Sequence, residues 1–444
     1  MRILFVTPYP LSRIRSRSYG FVTQLSKQHS VTVLALCAGQ RDVEDVKSLQ
    51  QQGIAITAVH EKPSEGYLRG LRALGSRLPL QVAYAASPAL RTVIEAYLAS
   101  GRFDLIHVES VRGLGALPEE LPIPCVWDAV DCISNLYEQG AKVGATPLMR
   151  TLGRNEARRV QIYERENLCR FRQVLVTSER ERQALLKVVG DPVGSPAASR
   201  EPAGLVGSPP LRGPEVIPVG RATTPGPVQP KVAEITVLPH GIDREYYRPY
   251  AGPRLLGTLV FSGKMSFHAN VAGVLHLIER ILPRVWEKRA DVRLILAGSD
   301  PPPILRRLAA REPRIELTGY VPDLRSYIAR AQIAVSSLPY AVGLQNKVLE
   351  AMALGTPAIV TSHVASGLQP LARSALLVAD GEEAFAAAIL RLLDDQLLWN
   401  KLAEQGLAYI AMYHNWEHII KQLTLVYDRA IRRGSLSAFA PPPA

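Results

Sequence analysis

This sequence predicts an α/β protein with two doubly wound domains, each a parallel sheet with helices on both faces. Three observations carry the prediction. Short runs rich in Val, Ile and Leu alternate with helical stretches almost throughout, as strands buried on both faces require. The alternation occurs in each half, and a stretch that can build neither element separates the two. The chain's 444 residues also exceed what one core organises. Two such domains leave a cleft at the carboxyl ends of their strands, where open α/β sheets bind ligands.

The first half places strands at Ile3–Thr7, Val31–Leu36, Ile54–Val59, Leu105–Val108, Cys125–Asp128 and Val174–Thr177. Helices such as Phe21–Gln28, Ala89–Ala99 and Glu156–Cys169 connect them. In the second half the strands are Thr258–Ser262, Val292–Ala297, Ile315–Thr318, Ile333–Ser336, Ala358–Val360 and Leu376–Val378. Helices are expected at Val271–Lys288, Leu305–Ala310, Leu324–Arg330, Lys347–Ala353 and Ala384–Leu393. Residues 191–230 hold ten prolines and six glycines, which exclude helix and inner strand. The expected organisation is a first domain over 1–189, a disordered insertion over 190–233 near the interdomain connection, and a second domain over 234–415. A helix over 416–433 and a disordered tail over 434–444 complete it.

Composition narrows the function classes. With 47% hydrophobic and 21% charged residues the chain is globular. Its net charge of +12, from 52 basic and 40 acidic residues, favours anionic partners without choosing among nucleic acid, lipid and metabolites. Met1 runs straight into a strand-like segment, so no signal peptide is expected, and no apolar run reaches membrane-spanning length. The four cysteines show no zinc-type pairing and fit reduced thiols in the cytoplasm. No zinc finger, reading helix or RNA-recognition aromatic signature supports nucleic acid as a partner.

The most informative stretch is residues 341–360, where a glycine-bearing loop leads into a short helix and then an apolar strand. Lys347 and Glu350 share one face of that helix. A helix opening after such a loop offers free N–H groups and a positive dipole end to an anion. A cation one turn in adds a phosphate contact, and an acid further in accepts sugar hydroxyls. A surface ion pair on an ordinary α/β helix is the other reading of the same two residues.

Other segments carry a resemblance. Val237–Pro249 reads Val-Leu-Pro-His-Gly-Ile-Asp-Arg-Glu-Tyr-Tyr-Arg-Pro. Phe261-Ser262-Gly263-Lys264-Met265, Leu296-Ala297-Gly298-Ser299, Leu317-Thr318-Gly319-Tyr320-Val321 and the 341–360 stretch follow it. In that order and spacing they resemble the donor domain of family 4 of the glycosyltransferases, strongly from Val237 to about Val378. The first half resembles it through Pro8-Tyr9-Pro10, Phe103–His107 and Trp127–Asp131. The resemblance implies the GT-B architecture, two Rossmann-like domains facing across a cleft. It implies a hexosyl transferase that takes a nucleotide-diphosphate sugar, retains anomeric configuration and uses no metal or other cofactor. The wording Asn-Lys-Val-Leu-Glu-Ala-Met-Ala is similar to a bacterial branch tied to exopolysaccharide and exosortase systems.

Carried over by position, the resemblance makes Glu350 the ribose-binding acid of the family's two glutamates. The other falls at Val342, so recognition of the sugar is expected to differ here. Gly343, Gln345, Asn346 and Lys347 become diphosphate and sugar contacts. Gly263-Lys264 matches the family's Gly-Arg, with Lys264 a point charge on the diphosphate. A further family lysine falls near Asn270, and Lys347 is expected to compensate. Gly298-Ser299 closes the nucleotide cleft, and Gly319, Tyr320 and Val321 line the base region. Val130 replaces a family histidine, so Asp131 or Asp128 is the expected acceptor-side contact, with Asp128 equally readable as a strand-end cap. His107 reads as core. Together Asp131, Asp128, Lys264, Lys347 and Glu350 form the expected catalytic set.

The first domain is then the acceptor side. Its first loop carries Arg13, Arg15, Arg17 and Gly20, expected to hold a donor or lipid pyrophosphate. A basic group at Arg150, Arg154, Arg158, Arg159, Arg165, Arg170 and Arg172 and a basic amphipathic segment over Tyr67–Arg77 fit peripheral contact with anionic membrane, or a solvated basic face. The acceptor is expected to be a glycan or lipid-linked, and the location cytoplasmic, at the inner face of the membrane. The rival readings are an epimerase or phosphorylase on the same fold, and a non-catalytic nucleotide-sugar or polyanion-binding protein.

Overall fold

The computed structural model describes residues 1–143, 147–190 and 233–437. The first sheet contains β1 (Arg2–Thr7), β2 (Ser30–Cys37), β3 (Ala55–His60), β4 (Leu105–Glu109), β5 (Cys125–Val130), β6 (Gln173–Val176) and β7 (Glu234–Val237). They lie in the order β3-β2-β1-β4-β5-β6-β7, all parallel. The second contains β8 (Leu255–Ser262), β9 (Arg293–Ala297), β10 (Ile315–Gly319), β11 (Ala331–Ser336), β12 (Ala358–Val360) and β13 (Leu377–Val378). Its order is β10-β9-β8-β11-β12-β13, again parallel. Strand order reverses between β1 and β4 and between β8 and β11, and each reversal opens a crevice for a ligand. Ile3, Leu4, Phe5 and Val6 are all inaccessible to solvent, as a strand covered on both faces must be.

Three expectations change. Strand β7 pairs with β6 in the first sheet, so residues 234–237 leave the second domain. The proline-rich stretch thus falls within the first domain's sequence rather than at the interdomain connection; residues 191–232 lie outside the described residues. The single helix expected over Val271–Lys288 is three pieces: His268–His276, a wide π turn at Leu277–Ile281, and Leu282–Trp286. Pro283 is the cause, because its ring and missing N–H break the regular ladder just upstream. The last helix runs Trp416–Ser437, into the segment expected to be a tail. Residues 438–444 lie outside the described residues.

That last helix begins where the chain returns from the second domain and packs on the first. Its Ile419, Ile420, Leu423, Val426 and Tyr427 share a core with Ile3, Phe5, Phe21 and Val33. The two crossings are tied together. The Ile242 N–H donates to the His414 carbonyl at 2.8 Å, and the His414 ring donates from Nδ1 to the His240 carbonyl at 2.7 Å. Trp416 wedges between Gly20 and Gly241, where a Cβ would come within 1.8 and 2.5 Å of its ring. No described helix is long and apolar enough to cross a membrane.

Candidate functional site

The second domain's half of the cleft starts where β8 and β9 end. Gly263 and Gly298 meet there, and a Cβ on Gly298 would lie 1.8 Å from the Gly263 carbonyl oxygen. Only glycine allows that approach. Lys264, beside it, is exposed and lies 3.8 Å from exposed Asp300, a weak pair that leaves the ammonium available. Lys347 is set deeper. Its ammonium donates to Asn270 Oδ1 at 2.5 Å and sits 4.2 Å from the centre of the Phe261 ring. Asn270 in turn donates to the Lys264 carbonyl at 2.8 Å. Burial pushes Lys347 down to about 7, against the opposing charge of Glu350. The place where the family has another lysine is therefore held by an amide that orients Lys347.

Glu350 accepts from the Tyr247 hydroxyl at 3.1 Å. Burial raises its pKa, while Tyr247 and Lys347 oppose the rise, and the Tyr247 hydroxyl is itself pushed well up. One carboxylate oxygen of Glu350 has no protein hydrogen-bond donor among the described residues. Gln345 bonds back to the Val342 carbonyl at 3.0 Å, and Asn346 reaches Ser16 of the first domain at 2.9 Å. Val342 is buried, with 8% exposure. Gly319 adopts φ 66° with open space around it, and Tyr320 beside it is exposed. Ser299 bonds to Asp300 at 3.1 Å at the strand end, and Val321 is partly accessible.

The first domain's half corrects several expectations. Asp128 is fully buried and takes a two-pronged pair from Arg17, 2.8 Å on each oxygen. Burial alone would raise its pKa; Arg17 and His107 overcome this and hold it at about 2. Arg17 also donates to the Leu238 carbonyl at 2.5 Å. Both charges are buried and spent on each other and on the Leu238 carbonyl, so neither is left free for a ligand in this arrangement. His107 stacks on Phe5 at 4.3 Å and bonds Tyr427 of the last helix at 2.8 Å, which makes it core. Gly20 is a packing glycine under Trp416. Arg13 pairs with Asp243 of the second domain at 3.0 Å and lies over the Tyr246 ring. Arg15 is exposed, stacks over Tyr9 at 3.3 Å, and has no acid within ion-pair distance among the described residues. Of the four positions, Arg15 keeps an open guanidinium.

Asp131 is brought to the 341–346 loop. Strand β5 ends with Val130 at φ 66°, a costly conformation for a β-branched residue, and the kink turns Asp131 across the cleft. A Cβ on Gly343 would lie 2.0 Å from Asp131 Oδ1. Thr177 donates to Asp131 at 3.1 Å. Burial, then the charge of Glu181, pushes Asp131 up to about 7.

Arg180 and Glu181 were not singled out by the sequence. Glu181 Oε1 accepts from the Gly343 N–H at 2.9 Å, and its Oε2 accepts from the Cys132 N–H at 2.8 Å. Arg180 donates to the Gly343 carbonyl at 3.3 Å, the His363 carbonyl at 2.6 Å and Ser366 at 2.8 Å. Both peptide groups of Gly343 are thus taken by residues of the other domain. Among the described residues, no cluster of three or more His, Cys, Asp or Glu could hold a metal ion.

Comparison with known proteins follows the same division. The profile described as "Glycosyl transferases group 1" matches residues 257–395, and "Glycosyl transferase 4-like domain" matches 14–194. A curated Bacillus subtilis (strain 168) protein named as a glycosyltransferase, YtcC, is 28% identical over 203 residues, 42% of this chain and 49% of its own. The chain therefore spans about half the length of that relative. Anabaena HepE, solved with UDP, superposes with a TM-score of 0.63 at 13% identity, covering 97% of this chain and 100% of its own. Sucrose-phosphate synthase of Thermosynechococcus elongatus gives 0.66 at 15%, covering 98% and 100%.

Proposed function

Because the chain belongs to the group 1 glycosyltransferases, with a 4-like first domain and the GT-B fold, we propose that it moves a hexosyl unit from a nucleotide-diphosphate sugar to a glycan or lipid-linked acceptor. The observation that carries the donor reading is the cluster behind the 341–346 loop. Lys347, oriented by Asn270, lies in the first turn of a helix that opens toward the cleft, with Glu350 beyond it. The ammonium and the helix dipole stabilise a leaving diphosphate, and the free oxygen of Glu350 accepts ribose hydroxyls. Lys264 adds a mobile charge at the cleft edge. Such an arrangement does its charge work without a metal. HepE has been solved with UDP-glucose, which makes uridine diphosphate sugars the first donors to test.

Asp131 is the acid that faces the reacting end of the donor, and its pKa near 7 suits a group that accepts and returns a proton. Retention of configuration and a place in cell-surface or exopolysaccharide synthesis are the finer parts of the proposal. A thermal-shift screen of nucleotide sugars, followed by hydrolysis of the hits and anomer assignment by NMR, tests it. If no nucleotide sugar raises the melting temperature and none is hydrolysed, the donor reading fails. The Asp131–Glu181 pair favours an epimerase as second reading; an epimerised nucleotide sugar formed without acceptor would select it.

A further inference from the structure

The helix Pro63–Arg72 and the short turn after it carry an apolar stripe that stays largely exposed, with Tyr67 edge-on to Tyr84. Tyr67, Leu68, Leu71 and Leu74 are 65, 47, 64 and 55% exposed. At helical spacing they fall on one arc, with Arg72 at its edge. Four large apolar side chains side by side on the surface differ from the scattered single ones every protein shows. The stripe continues into a second element. Arg159 of the helix Pro147–Arg170 donates to the Leu74 carbonyl, and Ser76 and Arg77 line a groove against Asn155, Arg158, Ile162 and Arg165 of that helix. Leu152, 59% exposed, extends the same side of the helix. The two basic segments, separate in sequence, are thus one surface: apolar ridge, then arginine-lined groove. Glu65 and Glu166 are its exposed acids, against Lys62, Arg72, Arg77, Arg154 and Arg158.

We propose that this surface docks on an anionic phospholipid bilayer. The Tyr67–Leu74 ridge enters the acyl boundary, and the arginines take lipid phosphates in the groove behind it. The pairing of apolar ridge and basic flank selects this occupant. A bilayer presents fixed negative headgroups above hydrocarbon in that same order, and long basic side chains reach back to the headgroups while their stems lie in the apolar layer. A soluble polyanion would use the arginines and leave the leucines in water. The proposal is independent of the transfer reaction, since binding is read without turnover.

The test is co-sedimentation of the full chain with vesicles of equimolar phosphatidylglycerol and phosphatidylcholine, and with phosphatidylcholine alone. The expected result is binding to the first, at least tenfold weaker binding to the second, and loss on raising salt. Leu71→Asp with Leu74→Asp, and separately Arg154→Glu with Arg158→Glu, should each weaken binding at least tenfold. Because all four side chains are exposed, unchanged melting temperatures will show that the variants fold. Binding that is absent, equal on both vesicles, or unchanged in both variants overturns the proposal. A wild-type chain that dimerises without lipid, and a monomeric leucine variant, would assign the face to a second copy and overturn it as well.

Discussion

Replacing Lys347 with methionine separates what the donor site does for binding from what it costs the fold. Lys347 is pushed from 10.5 down to about 7, chiefly by burial. Burying the charged form at low pH therefore costs the native state up to roughly 5 kcal/mol, at 1.36 kcal/mol for each pKa unit. Partial solvent access to the side chain makes that figure a ceiling. Methionine removes the cost but orphans Asn270 Oδ1, which gives back about 1–3 kcal/mol. The sign follows from proton counts. Between pH 7 and 10.5 the unfolded chain holds a proton that the native lysine has lost, so wild-type stability rises with pH through that window. The methionine variant lacks this term. Its advantage over wild type should thus shrink between pH 7 and pH 9 by roughly 2–3 kcal/mol, on the order of 5–10 °C in the second domain's melting temperature.

Donor binding should move the opposite way. A diphosphate needs the ammonium, which in the free protein is about nine-tenths formed at pH 6 and one-tenth at pH 8. Wild-type affinity for UDP or the matching diphosphate should fall up to about tenfold per pH unit above 7. Lys347→Met should bind at least tenfold more weakly at pH 6, about 1.4 kcal/mol or more, and lose the pH dependence. Calorimetric melting across pH 6–9 and isothermal titration at the same pH values read both effects. Parallel melting curves together with a pH-independent titration in wild type would refute the placement of this lysine.

The remaining expectations concern other parts of the cleft. Glu350→Ala should lower transfer tenfold or more, about 1.4 kcal/mol, as read by initial rates with saturating acceptor; wild-type turnover would remove Glu350 from the donor site. Arg17→Met leaves the Asp128 carboxylate buried without its cation and should cost about 3–5 kcal/mol of stability in urea unfolding. In the wild type, Asp128 contributes stability above pH 3.8 that is lost as pH falls toward its folded value of about 2, so acid unfolding of the first domain should steepen there. Glu181→Gln should lower the Asp131 pKa below its value of about 7, measured by carboxylate NMR; an unmoved titration would mean burial alone sets it. Gly20→Ala forces a methyl into Trp416 and should cost about 1–3 kcal/mol, seen as a lower melting temperature of the first domain.

Most of the fold was legible because buried parallel strands leave a pattern that survives loop variation. The strands from Ile3 to Val378 lie within three residues of their sequence positions, apart from β7, a four-residue strand directly after the proline-rich stretch. Four residues give no period to read, and only pairing with β6 assigns them to the first sheet. The π turn before Pro283 was legible in principle, since the proline stands in the sequence. The candidate site was legible where chemistry and neighbours in sequence coincide, as for Lys347 and Glu350, which the structure keeps together on one helix. It was not where the partner comes from elsewhere. Nothing local distinguishes Arg17, which closes on Asp128, from Arg15, which stays open. Glu181 lies in an ordinary charged helix start, Glu179-Arg180-Glu181-Arg182, and only the approach of the second domain shows what it holds.

That approach gives the departure at Val342 a structural context. A loop that carries its own acid can shape itself within one domain. Here the position is a buried valine, and the next residue, Gly343, has its N–H bonded to Glu181 and its carbonyl to Arg180. Asp131 lies against the same glycine from β5, turned there by the strained Val130. The loop that leads to Lys347 is thus held in shape by the first domain, and the acid nearest to it comes from the first domain too. Opening the cleft would break these bonds and withdraw Asp131 at one stroke, while Lys347, Asn270, Tyr247 and Glu350 stay together within the second domain. The proposed nucleotide contacts and the proposed acid at the sugar end therefore belong to different states of the cleft. Under the proposed function, a donor would dock by its diphosphate and ribose on the second domain alone, and its sugar would meet Asp131 only when the domains close and water is excluded.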